Sequence, residues 1–156
     1  ESDAMPTTND KEFKERLAAL DAGEQRQVAS RFVQRVAHLT SDVRIKAALE
    51  MALRADISEA ELAVVSQAAN AAKVESYAQC GQDTDWRTQA GHFVAKAAAS
   101  CVAPAGEGQT PAWEAAMQVR VARTCIAASG EITDQREAEA QYAILDDFLS
   151  KQGTQP

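Results

Sequence analysis

Apolar residues recur every three to four positions along most of the chain, which is the spacing of one face of an α-helix. In the first segment the apolar stripe is Phe13, Leu17 and Leu20, and Gly23 is predicted to end the helix. Caps and helix-breaking residues separate seven such segments. Their predicted bounds are about 10–21, 24–39, 42–55, 58–80, 85–103, 110–129 and 133–150.

Several predicted helices begin at side chains that can accept a hydrogen bond from a free backbone N–H group. Ser58 followed by Glu61 is a capping box. Thr110 before Pro111 predicts a hydroxyl cap with proline in the first helical position, and Thr133 is predicted to cap the last helix. The connections are short, so we expect a bundle of about seven short antiparallel helices.

Composition agrees with an all-α, single-domain protein. Alanine, the residue with the highest helix propensity, supplies about a fifth of the 156 residues. Aromatic residues make up only 5%, which argues against sheets. We predict one helical domain over residues 10–150 and a disordered tail over 151–156. Residues 1–9 are predicted to be disordered, and the first four resemble the remnant of an expression tag.

The charge balance limits the class of partner. The net charge is −7 and the isoelectric point is about 4.8. Nucleic acid and anionic membrane surfaces are bound by clustered lysine and arginine, so we expect neither as a partner. A charged protein partner is expected to be basic. Apolar runs are too short to span a membrane, and three widely spaced cysteines are typical of a reduced protein, which together predict a cytoplasmic location.

Histidine and cysteine, which often carry catalysis, are few. His38 and His92 lie on different predicted helices, and neither belongs to a metal-ligand motif. Cys80, Cys101 and Cys125 lie near predicted helix C-termini, where the helix dipole disfavours a thiolate. We therefore predict a non-enzymatic protein without catalytic residues, metal or cofactor. Cys80 and Cys125 are the pair to test for a disulfide, the alternative being small buried apolar side chains.

Polar residues on the last predicted helix form the first candidate binding surface. Gln135, Glu139 and Asp146 share one face, and Glu131 and Asp134 lie near the start of the helix. This set could form an acidic docking strip for a basic protein. The alternative is an ordinary solvated outer face.

Trp86 and Trp113 are the second candidate. Each lies in the first turn of its predicted helix, and an antiparallel hairpin places those turns at opposite ends. Tryptophan is a favoured anchor of protein interfaces, but it also packs at the ends of helical bundles. Both interpretations stay open for these two residues.

The segment Thr40-Ser41-Asp42-Val43-Arg44-Ile45-Lys46-Ala47-Ala48-Leu49-Glu50 is followed by alanine-rich stretches at 68–72, 95–99 and 112–116. Together they resemble bacterial, alanine-rich, all-helical immunity proteins, in which an Asp-x-Arg segment opens an amphipathic helix. The resemblance implies a non-catalytic protein whose acidic surface neutralises a toxin or effector by binding it. Two alternatives remain: a bundle that binds a small apolar ligand between its helices, and a self-associating protein.

Overall fold

The computed structural model describes residues 5–82, 85–104, 110–130 and 136–153, which contain seven α-helices, one 3-10 turn and no strand. The prediction of an all-α, single-domain bundle is confirmed. The helices are α1 (Asp10–Ala18), α2 (Ala22–Gln34), α3 (Val43–Ala52), α4 (Glu59–Gln82), α5 (Trp86–Val102), α6 (Pro111–Ala128) and α7 (Glu137–Gly153), with the 3-10 turn at Ala37–Leu39.

Helix α5 lies at the centre of the bundle, because it packs against α2, α3, α4 and α6. Its first half meets the end of α6, where Ala90 contacts Cys125 and Ile126, so the two helices run antiparallel. Helix α4 packs mainly on α5 and α3, which leaves it at one side of the bundle.

Alanine forms much of the interior. The buried alanines of the two central helices are Ala90, Ala95, Ala97, Ala98 and Ala99 on α5, and Ala112, Ala115, Ala116 and Ala122 on α6. Such small side chains let helix axes approach closely, which explains how the scarcity of large apolar residues is compatible with a dry core.

The large residues of the core gather around α1. The Phe13 ring is fully buried, and its centroid lies 5.6 Å from Phe32, 5.9 Å from Trp113 and 5.2 Å from Tyr142. All three pairs are tilted, the arrangement that aromatic rings favour. Phe13 therefore ties α1 to α2, α6 and α7.

The boundary between α1 and α2 differs from the sequence prediction. Helix α1 ends at Ala18 rather than near Asp21, and Gly23 lies inside the first turn of α2. Asp21 caps α2: its carboxylate accepts from the Glu24 N–H at 2.8 Å, and the Glu24 carboxylate accepts from the Asp21 N–H at 3.0 Å. This reciprocal capping box outweighs the helix-breaking tendency of Gly23.

Helix α2 also ends earlier than predicted, at Gln34 rather than Leu39. Val36 leaves the helical conformation, and the chain continues as the 3-10 turn Ala37–Leu39. This turn lies close to α5, since a Cβ added to Gly91 would be 3.4 Å from the Leu39 carbonyl oxygen. That distance is an ordinary van der Waals contact, so the turn packs directly on α5 without requiring glycine at position 91.

Three further predictions concern the helix ends. The Ser58–Glu61 capping box is confirmed, with hydrogen bonds of 2.9 and 3.0 Å. The predicted hydroxyl cap at Thr110 is wrong, because its side chain makes no capping hydrogen bond, although Pro111 does open α6. The predicted cap at Thr133 lies outside the described residues.

Both ends of the described range include residues outside the predicted helical domain of 10–150. Thr7 is buried, and its N–H and hydroxyl both donate to the Asp146 carboxylate, at 2.9 and 2.7 Å. Helix α7 includes Lys151 and continues to Gly153. Helix α7 thus ends three residues beyond the predicted domain bound of 150, and the predicted disorder of residues 1–9 and 151–156 stays a prediction. Residues 1–4 and 154–156 lie outside the described range.

Candidate functional site

A polar cleft lies between the start of α3, the second half of α4 and the first half of α5. Its volume is about 410 Å³, and it opens to solvent. The polar residues that line it are Thr40, Ser41, Asp42, Glu75, Ser76, Gln79, Arg87, Thr88 and His92. The geometry brings together side chains from three segments that are distant in sequence.

Arg44 holds one edge of this cleft. Asp42 caps α3 by accepting from the Arg44 N–H at 2.9 Å, and it binds the Arg44 guanidinium at 3.0 and 2.8 Å. The same guanidinium binds Glu75 on α4 at 3.0 and 2.9 Å. The Asp-x-Arg segment thus acts as a clamp between two helices, which gives this motif a structural role.

Ser76 and His92 form a hydrogen-bonded pair in the same cleft. The Ser76 hydroxyl oxygen lies 2.8 Å from His92 Nδ1 and 2.8 Å from the Lys73 carbonyl oxygen. A carbonyl only accepts, so one arrangement satisfies all three groups: His92 Nδ1–H donates to Ser76, and Ser76 donates to Lys73. In this tautomer the imidazole does not take a proton from the serine, as a general base would.

The environment disfavours the charged form of His92. Burial lowers the pKa of His92, and the positive charges of Lys96 and Lys73 lower it further. Among the described residues, Ser76 is its hydrogen-bond partner. The Tyr77 and Phe93 rings, at 5.6 and 5.4 Å, hold the imidazole in place.

The outer face of α4 is a second candidate. Helix α4 has no charged residue between Glu61 and Lys73. The exposed residues on one side of this helix form an uncharged set, which consists of Ala60, Ala63, Val64, Gln67, Asn70, Ala71, Val74, Tyr77 and Ala78. We call this set the α4 strip. Val64, Val74 and Tyr77 are 66%, 64% and 70% exposed.

The two predicted tryptophan sites have different surroundings. Trp113 is half-buried against Phe13, and the Lys14 ammonium lies 5.3 Å from the centre of its ring. Trp86, the first residue of α5, is 48% exposed. The structure therefore gives Trp113 a packing role and leaves Trp86 accessible to a partner.

The predicted acidic strip on α7 is only partly within the described residues. Glu131, Asp134 and Gln135 lie outside them. Asp146 binds Thr7 and lies 3.5 Å from Arg16, so its carboxylate joins α7 to the start of the chain. Glu139 is exposed, and its nearest charged partner is Arg136 at 3.9 Å.

Other carboxylates of α7 also face the bundle. Glu137 is buried and binds Arg35, which follows the last residue of α2, through contacts of 2.9 to 3.2 Å. Asp147 binds Arg31 at 2.8 Å and Lys151 at 3.2 Å. These pairs attach α7 to α2, so much of the acidity of this helix serves packing between helices.

The three cysteines are free thiols. Burial raises the pKa of Cys101 to about 12. Burial also raises the pKa of Cys125, and the neighbouring Cys80 raises it further. These shifts disfavour thiolates at neutral pH. Within the described ranges, no group of three or more His, Cys, Asp or Glu side chains could hold a metal ion.

Sequence reasoning missed both the cleft and the α4 strip. The cleft joins residues such as Ser76 and His92, whose proximity depends on helix packing. The α4 strip had a visible signal, since the eleven residues from Leu62 to Ala72 carry no charge although they belong to a helix at the side of the bundle. A helix in that position usually has one charged face.

No helix of the described part is both long and apolar enough to cross a membrane. The chain matches no protein-family model, no curated protein and no solved structure.

Proposed function

We propose that this protein is a non-catalytic binding module that recognises another protein through the α4 strip. The observation that carries the proposal is the length and chemistry of this surface. From Ala60 to Ala78 it extends about 27 Å at the rise of an α-helix. It exposes two valines and a tyrosine, and its eleven residues from Leu62 to Ala72, which precede Lys73 and Glu75, carry no charge. Contiguous apolar surface of this kind marks interaction sites in soluble proteins.

The α4 strip alone is smaller than a standard interface, which uses roughly 20–30 residues on each side. Trp86 follows the end of α4 and is half exposed, so it can extend the contact surface. Large aromatic residues supply a disproportionate share of binding energy when a partner covers them. Tyr77 and Trp86 are therefore the proposed anchors.

The resemblance to immunity proteins stays a prediction, and it would make the partner a basic toxin or effector. We place the contact on α4 rather than on α7, because Asp146 and Asp147 are engaged in ion pairs within the fold. Glu139 remains available to such a partner. The apolar character of the α4 strip predicts binding that depends less on salt than a purely acidic surface would.

An apolar ligand between the helices is the less well supported alternative. Such a ligand needs a largely enclosed apolar pocket. The four clefts described all open to solvent, and the polar cleft that includes Ser76 and His92 is lined mainly by polar groups. The alanine-rich contact between α5 and α6 instead fills the interior with protein atoms.

Affinity capture with matched baits tests the proposal. Wild-type, Val64→Glu and Val43→Glu chains are immobilised and incubated with extract from the source cells, and captured proteins are quantified by mass spectrometry. Val43 is also exposed but lies on α3, so its variant adds the same charge elsewhere. We expect one protein whose capture falls at least about tenfold with Val64→Glu, because a charge then occupies an apolar contact.

Capture of that protein must be equal for Val43→Glu and wild type, and both variants must retain the wild-type circular dichroism spectrum. Sedimentation velocity of the isolated chain separates a different partner from a second copy. If no captured protein depends on Val64 and the chain is monomeric, the α4 strip is not a protein-binding surface.

A further inference from the structure

A smaller groove between α4 and α5 combines positive charge with apolar surface. Its volume is about 270 Å³, and it is lined by Lys73, Val74, Tyr77, His92 and Lys96. The two lysines come from different helices, and His92 belongs both to this groove and to the polar cleft. The groove is therefore a junction between the α4 strip and the buried imidazole.

The two lysines have no carboxylate within 4 Å in the described part of the chain, whereas arginines such as Arg44 and Arg120 bind acidic partners. The Lys96 ammonium instead lies 5.4 Å from the centre of the Phe93 ring. Both lysines act electrostatically on His92, which places their charges near the same ring. A chain with a net charge of −7 thus has a local excess of positive charge here.

We propose that this groove binds an organic carboxylate, whose anionic head lies between Lys73 and Lys96 and whose apolar body contacts Tyr77 and Val74. Ammonium groups form short, charge-assisted hydrogen bonds to carboxylates. Because both lysines are half-buried, their attraction for an anion is screened less than that of fully exposed charges.

The volume limits the size of the ligand. Pockets for drug-sized molecules occupy roughly 300–1,000 Å³, so a groove of about 270 Å³ suits a single ring or one side chain. This chemistry could come from a free small acid or from a carboxylate of a protein bound at the α4 strip. The groove binds the same group in either case, so its test is independent of the proposed protein partner.

Nuclear magnetic resonance of the isotopically labelled full chain tests the assignment. The chain is titrated with phenylacetate, which has both the ring and the carboxylate. Acetate has the carboxylate without the ring, and phenylacetamide has the ring without the charge. We expect saturable shifts of amide signals around Lys73 to Tyr77 and His92 to Lys96 with phenylacetate. Acetate and phenylacetamide should bind at least about tenfold more weakly, since each lacks one of the two contacts.

Charge variants locate the site. Lys73→Gln/Lys96→Gln should weaken phenylacetate binding about tenfold or more, as expected for the loss of charged hydrogen bonds. Lys11→Gln/Lys46→Gln removes the same net charge from exposed positions on α1 and α3 and should leave binding unchanged. Matching amide spectra away from the substituted sites show that both double variants are folded.

A short peptide that ends in phenylalanine, with a free or an amidated C-terminus, distinguishes the sources. Tighter binding of the free-carboxylate peptide than of phenylacetate indicates a protein ligand, and the reverse order indicates a small acid. Equal binding of the amidated peptide, or equal affinities of the two double variants, would overturn the proposal. The absence of saturable shifts with every probe would do so as well.

Discussion

Arg44 binds Glu75 through two hydrogen bonds of 3.0 and 2.9 Å, which join the first turn of α3 to the second half of α4. The same guanidinium binds Asp42, so one side chain closes an edge of the polar cleft. Because this edge includes the segment that carries the resemblance to immunity proteins, the motif can be required for the fold without contacting any partner.

The Arg44–Glu75 pair is expected to make a small, salt-sensitive contribution to stability, since both side chains are partly exposed. A double-mutant cycle with Arg44→Ala and Glu75→Ala, measured by urea unfolding at low and high salt, should give a favourable coupling that shrinks with salt. Coupling that is zero at low salt would show that the clamp contributes nothing.

Acid should weaken the same clamp. Hydrogen bonds and charge from Arg44 lower the pKa of Glu75 and of Asp42 below their usual values of 4.5 and 3.8. Groups with lowered pKa values stabilise the fold above their unfolded pKa, and that stabilisation is lost as the pH falls through the folded pKa. We expect Glu75→Gln to reduce the pH dependence of unfolding below about pH 4.5, with Glu59→Gln as the exposed control.

His92 should impose a different pH dependence at higher pH. Its lowered pKa means that the unfolded chain takes up a proton before the folded chain does, so stability falls as the pH falls below about 6.5. His92→Gln should flatten the stability curve between pH 7 and pH 5. His38→Gln, at an exposed position, is the matched control. A slope unchanged by His92→Gln contradicts the neutral, buried imidazole.

Phe13→Ala should be among the most destabilising substitutions. The ring is fully buried and contacts three other aromatic residues, so its removal leaves a cavity that costs roughly 3–5 kcal/mol. That is a large share of the 5–15 kcal/mol typical of a domain. Urea unfolding measures the loss, and Phe13→Leu should recover part of it because it refills some of the volume.

Gln141 supports the same region through polar contacts. Its side chain is fully buried, donates to the Ala116 carbonyl at 3.0 Å and accepts from Arg120 at 2.9 Å. Gln141→Leu leaves both groups without this partner and should cost about 1–3 kcal/mol. Gln27→Leu, at a half-buried position on α2, controls for the added apolar surface. Equal stability of the two variants would rule out a role for the hydrogen bonds.

Local signals in the sequence are sufficient to predict the helices, but they are insufficient to predict the clefts. The Ser58–Glu61 capping box lies within four consecutive residues, so its pattern identifies a helix start directly. The same pattern at Asp21 and Glu24 is ambiguous in the sequence, because Gly23 between them also favours a helix end. Ser76 and His92 are sixteen residues apart on different helices, and their contact depends on how α4 and α5 pack.

Thr7 and Asp146 are separated by 139 positions in the chain, yet they share two hydrogen bonds. The Phe13 ring is likewise covered by Trp113 and Tyr142, which come about 100 or more positions later in the chain. During synthesis on the ribosome, α1 therefore has no complete binding site until the chain has emerged as far as Asp146. Contacts of such long sequence separation slow folding and leave apolar groups exposed to misassembly in the meantime.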